Sequence, residues 1–278
     1  MRTLVHLSDL HFGKVDEALL APLHELVHKL GPDLVVVSGD LTQRAKSEEF
    51  EAAKVWLDTL PGPQIIVPGN HDISLYNVFR RFLQPLTRYK RYITDDLDPI
   101  YIDEEIAVLG VNTARSLTFK DGRVNKEQIE EIRKHLSGLD RAITRIVVTH
   151  HPFDLPTAEA EHELVDRAPM AMKAFADCGV DLLLSGHMHA SHAGSTQERY
   201  QIDEYAALVI QAGTATSTRG RGEVNSFNVV RVEHDLVEVD RYGWDDIGKQ
   251  FSIMKTDPFL RTGNIWNAHT QGLYATGL

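Results

Sequence analysis

Thiols are almost absent from this sequence. A single cysteine, Cys178, stands among 278 residues, which excludes a disulfide framework within the chain and a thiolate zinc site. The expectation is a protein suited to a reducing cytoplasm, with Cys178 as a small buried residue. Long apolar runs are missing too. Crossing a bilayer takes roughly 20 apolar residues, and no stretch approaches that. The opening MRTLVHLSDLHF has neither the apolar region nor the small-residue cleavage site of a signal peptide, so a soluble protein without a membrane partner is expected. Positive charge is in deficit: 29 Lys and Arg against 40 Asp and Glu give a formal net charge of −11. Nucleic-acid affinity rests on many basic contacts to phosphate, so no stable nucleic-acid binding is expected. Phosphate esters remain accessible if cations are supplied locally. Repeats and low-complexity linkers are also absent.

What is present is an ordinary globular composition, 42% hydrophobic, with enough apolar material for a sizeable core. Short runs rich in Val, Ile and Leu recur at 3–7, 34–37, 65–67, 106–111, 146–148, 182–184 and 208–210. Each is too short for a helix and too continuously apolar for a half-exposed strand, which predicts buried strands. Segments with helical periodicity lie between them at 18–30, 48–60, 126–136 and 168–177. The alternation predicts an α/β or mixed sandwich fold. Two alternating segments, 226–232 and 236–241, flank His234-Asp235 and predict an antiparallel hairpin closing a sheet edge. We divide the chain into a main domain over 1–242, with 73–98 as a candidate cap insertion, and a tail over 243–278 that lacks clear periodicity. The tail is expected to pack on the body or on a partner subunit, with a homodimer formed through the hairpin or tail.

The predicted strands run into Ser-Asp-Leu-His, Ser-Gly-Asp, Pro-Gly-Asn-His-Asp, Val-Asn-Thr, His-His-Pro and Ser-Gly-His-Met-His. Metal-ligand types therefore gather at strand ends, where ligands bind in open α/β sheets. Asp9 and His11 are two apart, so on an extended strand end they face one side, and His187 and His189 repeat the spacing. Gly186 lets the backbone turn closely beneath a bound ion. Asp40 follows Gly39 and Asn70 follows Gly69. This nitrogen and oxygen set suits Mn, Fe, Zn, Co or Ni better than Cu(I), and it exceeds what one tetrahedral zinc uses. Two ions sharing a bridging carboxylate would sit roughly 3.5–4 Å apart. They would generate a hydroxide nucleophile at neutral pH and neutralise charge on a phosphoryl group. His71 is suited to protonating the leaving oxygen or stabilising the transition state, with Asp72 holding its ring.

The ordered series Asp9-Leu-His11, Gly39-Asp40, Gly69-Asn70-His71-Asp72, His150-His151-Pro152 and Gly186-His187-Met188-His189 resembles the calcineurin-like metallophosphoesterase superfamily. The resemblance spans residues 9–189 and implies a four-layer αββα sandwich. It also implies that Asp9, His11, Asp40 and His189 hold one ion and that Asp40, Asn70, His150 and His187 hold the other, with Asp40 bridging. Relatives place the ligand two before the proline, which selects His150 and leaves His151 as a supporting or substrate-facing group. The implied cofactors are two divalent or mixed-valence transition-metal ions, with Mn, Fe or Zn foremost. The Gly-Asn-His-Asp block and the compact length are similar to bacterial class III cyclic-nucleotide phosphodiesterases and glycerophosphodiesterases. Elements of the Ser/Thr protein phosphatase site are missing. So is the tyrosine ligand of purple acid phosphatases, since Leu41, Thr42 and Gln43 follow the bridging aspartate.

Several residues admit two readings. Arg80, Arg81, Arg88, Lys90 and Arg91, interleaved with Tyr76, Phe79, Phe82, Tyr89 and Tyr92, form either a cap over an anionic substrate or a helix with a solvated basic face. Arg44, Arg219 and Arg221 share that ambiguity. Asn112, Arg44 and His151 are candidate substrate contacts, and His192 is undecided. His6, His24, His28, His135, His162, His234 and His269 read as structural. The function expected is hydrolysis of a small phosphodiester, such as a cyclic nucleotide, by metal-bound hydroxide. Phosphomonoesterase activity at the same metals is the alternative. A non-catalytic scaffold is disfavoured because no ligand is lost, and a nuclease because the chain is acidic.

Overall fold

The computed structural model describes residues 1–74, 85–115, 122–155, 163–219 and 222–269. Tyr76, Phe79, Arg80, Arg81, Phe82, His162 and Arg221 lie outside the described residues, as does the chain beyond His269.

The seven apolar runs are all strands: β1 (Arg2–Leu7), β2 (Leu34–Ser38), β3 (Gln64–Val67), β5 (Ile106–Gly110), β6 (Thr144–Val148), β7 (Leu182–Ser185) and β9 (Leu208–Gln211). They are continuously apolar because both faces are buried, and consecutive residues alternate between two different cores. On β2, Leu34 and Val36 face a core between two sheets, whereas Val35 and Val37 face a core under helices. On β6, Ile146 and Val148 point between the sheets and Val147 points the other way. The result is four layers, helices on each outer face of two stacked sheets.

One sheet runs β13 (Ile265–Ala268), β12 (Gln250–Thr262), β11 (Leu236–Asp245), β10 (Ser226–Val232), β1, β2, β3 and the other β4 (Ile100–Ile102), β5, β6, β7, β9, β8 (His192–Ser195). Strands β1, β2 and β3 pair in parallel, as do β5, β6, β7 and β9. In the second sheet β4 and β8 are antiparallel edges. The four predicted helices form as α1 (Glu17–Leu30), α2 (Ser47–Leu57), α4 (Lys126–Leu136) and α5 (Ala168–Cys178). Helix α1 buries Leu19, Leu23 and Val27, one apolar stripe at helical spacing. It begins where the Asp16 carboxylate accepts from the Ala18 amide and ends at Gly31 in the left-handed region, an ordinary pair of stop signals. Helix α4 carries a reciprocal cap: Asn125 accepts from the Gln128 amide at 2.8 Å and Gln128 reaches back to the Asn125 amide.

One expectation needs correction. The hairpin of β10 (Ser226–Val232) and β11 (Leu236–Asp245) does not close the sheet. Beyond Gly243, where no periodicity was visible, the chain forms β12 (Gln250–Thr262) and β13 (Ile265–Ala268), and β13 is the edge. Period-2 patterning is lost there because much of β12 is exposed on both faces. Asp181 ties this extension to the other sheet, accepting from Arg261 Nη1 at 2.9 Å and from the buried Trp266 indole at 3.2 Å. The described part of the candidate cap contains α3 (Thr87–Tyr92), one face of which packs on the body. Tyr89 is fully buried and donates to the Ile66 carbonyl, while Phe50 of α2 stacks on Tyr92. Among the described residues no helix is long and apolar enough to cross a membrane.

The core between the sheets tests this layering. Ile146 is fully buried there, and Ile146→Ala is expected to cost about 2–5 kcal/mol, measured by urea denaturation. A loss below about 1 kcal/mol would show that the two sheets close over the cavity.

Candidate metal centre

The parallel strands of both sheets deliver their following loops to one rim. Asp9 and His11 come just after β1, Asp40 after β2, Asn70 after β3, His150 after β6, and His187 and His189 after β7. All seven are buried. Convergence is not achieved by the pleat of an extended strand, as the two-residue spacing suggested. Asp9, His11, Asp40, His187 and His189 have φ of 54°, 50°, 54°, 70° and 58°, the left-handed region that L residues avoid and that Asp and His tolerate best among bulky ones. Each costs on the order of 1–3 kcal/mol, so the surrounding structure must impose it. Close approach imposes glycine as well. A Cβ on Gly69 would meet Asp40 Oδ1 at 2.1 Å, and one on Gly186 would meet Ser8 Oγ at 1.8 Å and Asp9 Oδ2 at 2.7 Å.

The outward nitrogen of each imidazole has a partner that sets which nitrogen faces inward. His11 Nδ1 donates to the Thr42 carbonyl at 3.4 Å and His150 Nδ1 to the Ser38 carbonyl at 2.8 Å. Carbonyls only accept, so in its neutral form each of these rings turns a bare Nε2 inward. His189 Nδ1 meets Thr214 Oγ1 at 2.6 Å. His187 is reversed: its Nε2 donates to Glu163 Oε2 at 2.9 Å, and its Nδ1 turns inward.

The inward atoms form two groups. His11 Nε2 lies 3.5 Å from Asp9 Oδ1 and 3.7 Å from Asp40 Oδ2, and His189 Nε2 lies 3.7 Å from Asp9 Oδ1. His150 Nε2 lies 3.0 Å from Asn70 Oδ1, 3.3 Å from His187 Nδ1 and 3.4 Å from Asp40 Oδ2, with His187 Nδ1 at 3.2 Å from Asn70 Oδ1. Asp40 Oδ2 therefore faces both groups. Lone pairs gathered this way repel one another unless a cation sits among them. Ligands held at about 2.1 Å from one ion are themselves about 3.0–3.4 Å apart, close to the spacings here. Among the described residues, Asp9 Oδ1 and His11 Nε2 are buried with no hydrogen-bond partner. The donor set fits transition-metal ions.

Titration follows the same logic. Burial opposes charge on Asp9 and Asp40, yet neighbouring imidazoles hold both carboxyls below the usual range. Burial likewise opposes charge on His150, but Asp40 outweighs it and raises the imidazole to about 9. Without metal, the site draws in a proton as its cation.

His71 occupies the adjoining position. Its amide donates to Asp40 Oδ1 at 2.8 Å, its ring sits edge-on to His11 with centroids 4.9 Å apart, and its Nδ1 donates to the Gln43 carbonyl at 2.9 Å. Asp72 does not hold that ring, contrary to expectation. Its carboxylate accepts from the amides of Leu41, Thr42 and Gly69 and from Thr42 Oγ1 at 2.9–3.2 Å, stitching the loops after β2 and β3 together. His151 is fully buried beside the centre, with Nδ1 against Thr113 Oγ1 at 2.8 Å, and together with His150 and His187 it completes a third group able to hold an ion. The Asn112 side chain accepts from the Ala114 amide, and Arg44 is anchored through its amide to Glu49. His192 opens β8 at the far edge of the second sheet. Glu163, Thr214 and the Gln43 carbonyl carried no sequence signal, since each acts through a partner at least 24 residues away.

The family model of the calcineurin-like phosphoesterases matches residues 2–191, and the chain belongs to that family. A glycerophosphodiester phosphodiesterase of Enterobacter lignolyticus, GpdQ, is 26% identical over 220 residues, covering 68% of this chain and 75% of the relative. The 3',5'-cyclic adenosine monophosphate phosphodiesterase CpdA of Escherichia coli is 23% identical over 177 residues, covering 62% and 59%. In fold the chain is similar to PhoD (TM-score 0.74, 10% identity, 100% of this chain and 73% of the other). It is likewise similar to the purple acid phosphatase PPD1 of yellow lupin (TM-score 0.71, 12% identity, 92% and 53%).

Removing the carboxylate behind His187, as in Glu163→Ala, is expected to weaken metal affinity by about 10- to 100-fold, read by competition with a chelating dye. An unchanged affinity would reduce Glu163 to a packing role. For metal-free protein, a folded-state value of about 9 for His150 against 6.5 in the unfolded chain gives stability that is complete below the lower value and lost as pH rises through the higher one. Melting of chelated protein should therefore show a decline in Tm across that window that is absent in His150→Gln. The same decline in both proteins would assign it to another group.

Proposed function

We propose that this chain hydrolyses small phosphodiesters at a dinuclear metal centre, with Asp9, His11, Asp40 and His189 holding one ion and Asp40, Asn70, His150 and His187 the other. The observation that carries this reading is the single oxygen, Asp40 Oδ2, facing His11 Nε2 on one side and His150 Nε2 on the other. When bound, two such cations supply Lewis acidity that activates water at neutral pH and neutralises charge on a phosphoryl group.

The residues around the centre do the rest. Carbonyls of Ser38 and Thr42, the Thr214 hydroxyl and Glu163 lock the imidazoles before any ligand arrives, so little reorganisation is left to the reaction. Asp72 keeps the Asp40 and Asn70 loops in register. His71 is the group for the leaving oxygen. Its Nδ1 proton is committed to Gln43, so a proton delivered to the leaving alkoxide must be carried on Nε2, the nitrogen that accepts from Arg219 Nη1 at 3.0 Å in this structure. The Asp72 carboxylate and the Asn112 side chain spend their described polar contacts on the surrounding loops, which assigns both to ordering those loops. The diester preference draws on the relatives named as diesterases.

Protein loaded with Mn should turn over bis-p-nitrophenyl phosphate faster than p-nitrophenyl phosphate, with a panel of cyclic nucleotides then locating the substrate. Preference for the monoester would sink the diesterase reading and leave the phosphatase one. Asp40→Ala should lower turnover of either ester by at least about 10²-fold, and retained activity would remove the shared-carboxylate centre altogether.

A further inference from the structure

The guanidinium of Arg219 stands one residue out from the metal ligands. Its Nη1 donates to His71 Nε2 at 3.0 Å, and the His71 amide in turn donates to Asp40 Oδ1. In a chain of net charge −11 many arginines are ion-paired, although Arg88, Arg115 and Arg145 bond neutral oxygens instead. Arg2, Arg133, Arg199, Arg231, Arg241 and Arg261 each lie against a carboxylate. Among the described residues, Arg219 makes no ion pair, and its one side-chain partner is a neutral ring nitrogen.

The segment that carries it is held in place. The Arg219 amide donates to Ser217 Oγ, and the Thr218 amide donates to the Lys14 carbonyl at 2.9 Å. Asn225 Nδ2 reaches the Ser217 carbonyl at 2.8 Å, and Val15 and Ser217 form a bridge. The loop after β9 is thus pinned to the loop that carries Asp9 and His11. A guanidinium has five N–H donors in a rigid fork matched to two oxygens of a phosphoryl group. One is spent on His71, the others have no partner among the described residues, and the residue is exposed.

We propose that Arg219 is the anion-anchoring residue of this site: on substrate binding it donates to a non-bridging oxygen of the scissile phosphoryl group and releases His71 Nε2. The proposal rests on the phosphoesterase reading above and adds the residue that recognises the substrate's charge. In the resting structure His71 serves as the post on which the guanidinium is parked. The step is an exchange of hydrogen-bond partners, with no bond to hydrogen broken.

The experiment is calorimetric titration of inorganic phosphate into the Mn-loaded protein, alongside steady-state kinetics on bis-p-nitrophenyl phosphate. Arg219→Ala should weaken phosphate by about 10- to 100-fold, as loss of a charge-assisted contact does. It should raise KM more than it lowers kcat and leave the Mn content unchanged, and Arg219→Lys should recover part of the affinity. Phosphate affinity within about twofold of wild type in Arg219→Ala would overturn the proposal. So would loss of Mn, or a fall in kcat alone, since either assigns Arg219 to holding the site rather than the substrate. Wild-type protein that binds phosphate through Arg219 yet hydrolyses neither ester would refute the hydrolase reading and support this one.

Discussion

The rim of the two sheets is organised by ligand atoms that face one another around a space calling for positive charge. Four imidazoles, two carboxylates and an amide oxygen turn ligand atoms inward, and two carbonyls, a carboxylate and a hydroxyl behind the rings fix which nitrogen each presents. Such an arrangement is unstable by itself, because burying charge or unpaired acceptors costs several kcal/mol per group. The sandwich is stable enough to impose it, and a bound cation would relieve it. The raised affinity of His150 for a proton is the same demand for positive charge, met in the simplest available way.

The cost appears in the backbone. Five of the seven inward-facing residues sit in the left-handed region, where the chain turns hard enough to aim two side chains two residues apart at one point. Glycines at 69 and 186 leave room for neighbouring carboxylates where any side chain would collide. The strain is concentrated at strand ends, and the strands behind them are buried on both faces, so the loops cannot relax without disturbing two cores at once. The parallel strands bring the loops of both sheets to one rim, and the constrained loops make the rim a site.

Around this rigid set lies a less constrained ring. His71 is tied to the site by its amide and Nδ1, whereas Arg219 is joined to it through His71 Nε2 and is exposed. The division is physically sensible. Metal ligands must be fixed in advance, whereas groups that meet a substrate must exchange partners when it arrives, which a side chain held by one neutral contact can do at little cost.

Much of this was legible in the chain itself. Doubly buried strands announce themselves as unbroken Val, Ile and Leu runs, and the amphipathic helices between them as 3.6-residue periodicity, so seven strands and four helices fall within a few residues of their expected limits. The ligand types were legible because chelation needs particular atoms at short spacing. Strands β12 and β13 were not, because an exposed extension has no core to pattern it. Neither was the left-handed turn that replaces the pleat, nor the fact that Asp72 serves the loops while Gln43 holds His71. Glu163 and Thr214 reach their partners across 24 and 25 residues, and Arg219, visible in the chain only as a cation with two readings, meets His71 across 148. The sequence by itself determined which atoms are available for metal and phosphate chemistry and which segments are buried. Only the tertiary structure decided which nitrogen of each imidazole faces inward and which residue stands behind it, because hydrogen-bond partners are chosen by proximity in space, to which local pattern is blind.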